Sequence, residues 1–168
     1  VQCTICRRLY TRAFVAKSCC QEVTAMKKVA CLGILVADVI VEPVKNYPEK
    51  GVLELVNSIT MHNGGNAMTA AINLSTIGVE SSMVGMVGDD MFGEFLTGRL
   101  AKAGIDTSGV KVSDKVQTSA SVLMIDKTGE RSFFHCKGTN AVLTSADIDY
   151  DAVDKCDMVF VTGSFLMD

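Results

Sequence analysis

The 168-residue chain contains no tryptophan, two prolines and two histidines. At 48% hydrophobic and 21% charged residues its composition and length are those of about one globular domain, which excludes a disordered chain and a collagen-like repeat. Apolar runs are short, as at Met158 to Val161, far below the roughly 18–20 residues of a membrane-spanning helix. No block of five like charges occurs, and 16 Lys and Arg against 19 Asp and Glu leave a net charge of -3. A nucleic-acid-binding stripe therefore has no electrostatic support. Neither nucleic acid nor membrane is an expected partner. The phosphate loop G-x-x-x-x-G-K-[ST] is absent, and no G-x-G-x-x-G follows a strand, so the dinucleotide fingerprint is missing too. There is no internal repeat.

What is present changes character at Met26. Residues 1–25 hold Arg7, Arg8, Arg12 and Lys17 against Glu22, a local charge of +3 that leaves -6 for the remainder. They also hold Cys3, Cys6, Cys19 and Cys20, four of the seven cysteines. Cys3 and Cys6 make a C-x-x-C, but no second pair at ligand spacing follows and the nearest histidine is His62, so zinc is disfavoured. The segment is Arg-rich and acid-poor like a mitochondrial presequence, without the apolar core of a secretory signal. Met26-Lys27-Lys28 leads directly into the apolar VACLGILVA. The expectation is a disordered or spurious extension over 1–25 and a folded domain over 26–168. Cys31, Cys136 and Cys156 are odd in number and lie in apolar surroundings, which suits buried thiols in a reducing, cytoplasmic setting. No metal site is expected.

Along the domain, Val29 to Ala37 reads as one continuous apolar strand, covered on both faces and ending at Asp38. Val39 to Met61 is rich in Val, Ile and Thr and carries Pro43 and Pro48, which suggests two exposed or edge strands in an antiparallel excursion. Gly64 to Gly78 has the small apolar residues of a closely packed helix, with a glycine as its stop. Ser82 to Val87 reads as a strand. Asp89 to Ala103 reads as a helix with Phe92, Phe95, Leu96 and Leu100 at helical spacing and an aspartate N-cap. Ser119 to Ile125 and Arg131 to Cys136 flank DKTGE, a hairpin turn needing a positive φ at Gly129. A short helix over 145–154 and a buried strand over 158–162 follow.

In an open α/β sheet ligands bind beyond the carboxyl ends of the strands. Asp38 at the end of the first strand and Gly64-Gly65-Asn66 at the start of a helix are therefore candidates to line one crevice. An ionised carboxylate accepts from two hydroxyls at once, and paired glycines let a ligand approach backbone N–H groups. That combination suits a polyhydroxylated small molecule. Equally, Asp38 could cap a turn and the glycines merely permit a tight bend. His62 and His135 stand apart from any Ser or Cys nucleophile motif and read as surface or packing residues. The nine methionines read as core filling.

GILVAD ending at Asp38, HNGGNAMTAAINLSTIG over 62–78, VGMVGDDMFGEFL over 84–96, GIDTSGV over 104–110 and DKTGERSFFHCKGTNA over 126–141 occur in one order. Together they resemble the amino-terminal half of a PfkB-type carbohydrate kinase, the ribokinase family. The resemblance implies a ribokinase-like α/β fold: a Rossmann-like, mostly parallel sheet flanked by helices, with a small antiparallel β lid built from about 39–61 and 119–136. It implies transfer of the γ-phosphoryl of ATP, with Mg²⁺, to a hydroxymethyl group of a sugar or nucleoside. Asp38 would bind acceptor hydroxyls, Gly64 and Gly65 would bring backbone against the sugar, and Asn66 would add a contact. Thr69 stands where many members carry asparagine. Phe134 and His135 would contact the acceptor from the lid, which would exclude competing water. The family's base, the Asp of a Gly-Ala-Gly-Asp motif, has no counterpart in these residues, so the expected catalytic residue lies beyond Asp168 and the chain alone is expected to be inactive. A non-catalytic sugar-binding remnant is the competing expectation. A homodimer through the lid is also expected, because unpaired strand edges are a liability.

Overall fold

The structure, a computed structural model, describes residues 28–163; the expectations for residues 1–25 lie outside them. The elements run β1 (Lys28–Gly33), β2 (Val36–Val44), β3 (Ser58–Gly64), α1 (Asn66–Thr76), β4 (Glu80–Gly88), α2 (Met91–Lys102), β5 (Asp106–Ser113), β6 (Ala120–Asp126), β7 (Arg131–Cys136), α3 (Tyr150–Val153) and β8 (Met158–Thr162). They form two sheets. One is fully parallel in the order β5-β4-β1-β8, and the other has the order β3-β2-β6-β7.

The parallel sheet is a core strand pair with unequal cover. Val29 and Cys31 on β1 share a face with Met83 and Val87 on β4, and α1 lays Ala67, Met68 and Ala71 upon them. Small residues on α1 allow that close approach: the position a Cβ would take on Gly33 lies 3.2 Å from the Ala67 methyl. On the same core, α2 adds Leu96 and Leu100, both fully buried. Burying each such leucine stabilises by about 1.5–3 kcal/mol. Asp90 caps α2, its Oδ1 accepting from the Gly93 N–H at 2.8 Å. The ion pair Lys28–Asp106, 2.6 Å, fastens the start of β1 to the start of β5 and holds the Asp106 carboxyl down to about 2. At the outer edge β8 stays uncovered, with Phe160 44% and Val161 56% exposed.

Several expectations are corrected. The apolar stretch 29–37 is two strands in different sheets: β1 ends at Gly33, the chain turns through Ile34 and Leu35, and Asp38 lies within β2 rather than at the end of the first strand. Both halves are equally apolar, so hydropathy carries no mark of the break. Gly33 marks it in space, since a Cβ there would overlap the Thr162 carbonyl oxygen. β2 is an interior strand despite Pro43; the ladder to β6 shifts register between Val41 and Val44, which removes the need for a proline N–H. The second sheet is mixed, because β2 and β6 are parallel while β3 and β7 run antiparallel to their neighbours. β5 was not anticipated as a strand. The expected helix over 145–154 is a 3-10 turn at Ser145–Asp147 and the four-residue α3, separated by extended backbone at Ile148 and Asp149. The helices over 64–78 and 89–103 and the hairpin with Gly129 at φ 88° match expectation; the strand over 158–162 forms as expected but is exposed rather than buried.

Candidate functional site

The carboxyl ends of β1, β4, β5 and β8 lie at one edge of the parallel sheet, and at that edge the chain crosses into the second sheet. Buried polar side chains pin the crossings. Asn140, 2% exposed, matches its amide to one peptide unit: Nδ2 donates to the Leu35 carbonyl at 3.0 Å and Oδ1 accepts from the Leu35 N–H at 3.4 Å. Leu35 itself seats over Gly85, where a Cβ would stand 2.6 Å from its Cδ1. At the β5–β6 crossing Thr118 accepts from the Gly88 N–H at 2.8 Å, while its own N–H donates to Asp90 Oδ2 at 2.7 Å. Burial pushes the Asp90 carboxyl up, but the Thr118 and Gly93 N–H groups outweigh it and hold the carboxyl below its ordinary value. The segment G-x-x-G-x-D-x-x-G over 85–93 is thus the joint between the two sheets.

Three residues beyond Leu35, Asp38 emerges in a transverse row. The register pairs Asp38 with His62 on β3 and with Ser121 on β6, and pairs Ser121 with His135 on β7. His62, Asp38, Ser121 and His135 therefore share one face across all four strands. Gly64 stands next to this row. A Cβ on Gly64 would overlap Asp38 Oδ2 and lie 2.8 Å from Asp38 Cγ, so the glycine is what gives the carboxylate its place. Gly65 serves a different end: its φ is 85° and a Cβ would overlap the Ile34 carbonyl oxygen, a backbone constraint at the start of α1. Asn66 and Thr69 follow, both exposed, on the first turn of α1.

Asp38 is half-buried, and its carboxyl is raised above the ordinary aspartate value chiefly by that burial; a hydrogen bond from Ser121 and the two imidazoles oppose the rise. Desolvation without a full complement of protein donors is the state of a carboxylate with acceptor capacity left for a ligand. The structure brings Asp38, Gly64, Gly65 and His135 to one region. Phe134 pairs with Val122 and projects to the other face of β7, and it lines a cleft of about 270 Å³ with Val39, Phe92 and Val122 to which Ser121 and His135 also contribute. Ser121, Thr118 and Asn140 were missed by sequence reading. Only the polar residues flanking apolar runs at 118–121 and 138–140 hinted at them.

Residues 26–168 match the family model of the pfkB family carbohydrate kinases. The chain belongs to that family. Among its relatives are a putative sugar kinase of Pyrococcus horikoshii, 29% identical over 78% of this chain and 40% of the relative, and an ATP-dependent ribose-1-phosphate kinase of Halopiger xanaduensis, 29% identical over 71% and 40%. The chain thus spans about 40% of the length of these pfkB relatives. The Pyrococcus horikoshii protein, solved in complex with ATP, superposes with a TM-score of 0.65 at 30% identity over 79% of this chain and 42% of its own. Arabidopsis thaliana ribokinase, solved with ribose and ATP, has a TM-score of 0.70 at 20% identity over 82% and 45%, which shows a shared ribokinase-like fold.

Proposed function

We propose that the complete protein transfers the γ-phosphoryl group of ATP to a hydroxymethyl group of a neutral sugar or nucleoside, and that this chain supplies the acceptor site and lid. The observation that carries this reading is Asp38, a half-buried carboxylate seated against side-chain-free Gly64 beside the edge where the parallel strands end. Asp38 binds acceptor hydroxyls; the Gly64 and Gly65 backbone, Asn66 and Thr69 complete the wall. None of the residues paired with Asp38 in the sheet is Lys or Arg, which favours a neutral acceptor over a sugar phosphate. Relatives solved with ATP support ATP as donor. No group of three or more His, Cys, Asp or Glu fit to hold a metal occurs among the described residues, and none of them is assigned to Mg²⁺. The 168 residues alone are expected to bind acceptor without turnover.

The lid also offers a homodimer surface. Ile59 is 66% and Phe134 71% exposed on the face turned away from Asp38. A second copy of the lid is the partner that this proposal names.

The test of function is a screen of sugars and nucleosides for ATP-dependent phosphorylation by the full-length gene product, repeated with Asp38→Ala. Charged hydrogen bonds contribute about 1.5–3 kcal/mol each, so acceptor KM should rise at least about tenfold while the KM for ATP holds. An unchanged acceptor KM sinks the role of Asp38. Saturable sugar binding with no phosphorylation by any full-length product would instead support a non-catalytic sugar-binding protein.

A further inference from the structure

We propose that Thr118 is a positioning residue for binding of the sugar or nucleoside: with Asn140 it clamps residues 35–37 to the end of β4 and the start of α2, and through that clamp it fixes where the Asp38 carboxylate stands. The proposal rests on the reading of Asp38 given above and adds to it two residues that touch no substrate.

The lid meets the parallel sheet at four crossings, residues 34–35, 65, 114–119 and 137–139, and buried polar groups are concentrated there. Of the six buried polar side chains among the described residues, Thr118, Ser119, Thr139 and Asn140 lie at this joint. Thr118 is anchored to the body twice, its Oγ1 accepting from the Gly88 N–H at 2.8 Å and its N–H donating to Asp90 Oδ2 at 2.7 Å. The next residue hands that anchorage on: the Ser119 carbonyl accepts from the Ala37 N–H at 2.9 Å, one residue before Asp38. From the other side Asn140 holds both the N–H and the carbonyl of Leu35. Its neighbour Thr139 is tied down in turn, Oγ1 donating to the Met86 carbonyl at 3.1 Å and N–H to the Gln117 carbonyl at 2.9 Å. Ser119 Oγ closes the set on the Cys136 carbonyl at 3.0 Å.

Bonds of this kind replace bonds to water and add little net stability, but they are directional and costly to leave unmade, so a satisfied buried network admits one arrangement. Space at the joint is used as tightly: a Cβ on Gly88 would stand 2.6 Å from the Thr118 nitrogen and 2.7 Å from Asp90 Oδ2. Asp38 follows the Ala37 anchor by one residue, about 3.3 Å along the strand. A slip at the clamp therefore reaches the carboxylate almost undiminished. Thr118 and Asn140 thus act on substrate through the strand that carries Asp38.

The experiment measures acceptor KM, the KM for ATP and thermal unfolding in the full-length protein. Thr118→Val keeps the side-chain shape and removes the oxygen that accepts from the Gly88 N–H, so acceptor KM should rise about tenfold with the KM for ATP unchanged. Thr118→Ser, which keeps the hydroxyl, should stay within about twofold of the wild type. With Asp38→Ala already present no carboxylate is left to misplace, and Thr118→Val should then raise acceptor KM by less than about twofold more. A folded Thr118→Val protein with wild-type acceptor KM overturns the proposal, whatever stability it has lost. So does a rise that is equally large in the Asp38→Ala background. Either result leaves the kinase reading standing as long as Asp38→Ala weakens acceptor binding; if Asp38→Ala is itself without effect, both readings fall. Should Thr118→Val not fold, amide hydrogen exchange of the wild type decides. The N–H groups of Ala37, Gly88, Thr118 and Thr139 should exchange only through global unfolding, and faster exchange at any of them reveals a clamp that opens and overturns the proposal.

Discussion

Replacing Gly64 by alanine tests the site more sharply than removing Asp38, because it leaves the carboxylate in the protein and takes away only its place. Gly64 is not among the positive-φ glycines, so alanine suits the backbone. The added methyl would overlap Asp38 Oδ2 and approach Cγ to 2.8 Å and Oδ1 to 3.2 Å. The least costly relief is rotation of Asp38 to another staggered χ1, which takes the carboxylate off the row. The loss is one or more charged hydrogen bonds to the acceptor, about 1.5–3 kcal/mol each, or roughly 10- to 150-fold in affinity per bond. With Asp38→Ala already present the obstructing oxygens are gone, so Gly64→Ala should then change acceptor KM less than about twofold. The assay is acceptor KM and thermal unfolding for the wild type, both single variants and the double variant. Folded single variants that fail alike, with a double variant no worse than either, support the argument. Additive effects, or a Gly64→Ala protein with wild-type acceptor KM, refute it.

Asp38→Asn should weaken acceptor binding while leaving stability at neutral pH equal or higher. The native Asp38 carboxyl is raised, so the folded state holds its proton longer than the unfolded state, and stability falls as pH rises from the ordinary aspartate value through the raised one. Urea titrations across that range should show this slope in the wild type and its loss in the variant; an Asp38→Asn protein markedly less stable at neutral pH contradicts it. Asn140→Ala strips donor and acceptor from the buried Leu35 peptide and should cost at least about 2 kcal/mol in urea denaturation; a cost under about 0.5 kcal/mol would mean that the crossing is held by something else. Phe134→Glu should shift the full-length protein from dimer to monomer in sedimentation without changing acceptor KM, and an unaltered dimer removes the lid face as the interface.

Much of the local structure was legible because the signals are local. The N-cap at Asp90, the glycine stop of α1, the turn at Gly129 and the apolar run of β8 each depend on a few adjacent residues and their preferred dihedrals. The break inside 29–37 was not legible, since strands of two different sheets present the same apolar pattern when both faces are covered. Pro43 misled for a related reason: a register shift lets it sit in an interior strand. Phe134 and His135 project to opposite faces of β7 because alternate residues of a strand do, yet both line one cleft, a meeting that only the tertiary structure shows.

From sequence alone came the family, both long helices and the strands apart from the β1–β2 break and β5, and the candidates Asp38, Gly64 and Gly65, because caps, turns and periodicity are written within a few residues of one another. The tertiary structure decided which strands share a sheet, that Gly64 seats a carboxylate while Gly65 relieves the backbone, and that His62, Ser121 and His135 stand in the row of Asp38. Those facts depend on pairing between segments far apart in the chain, where hydrogen bonds and burial, rather than local preference, select the partner.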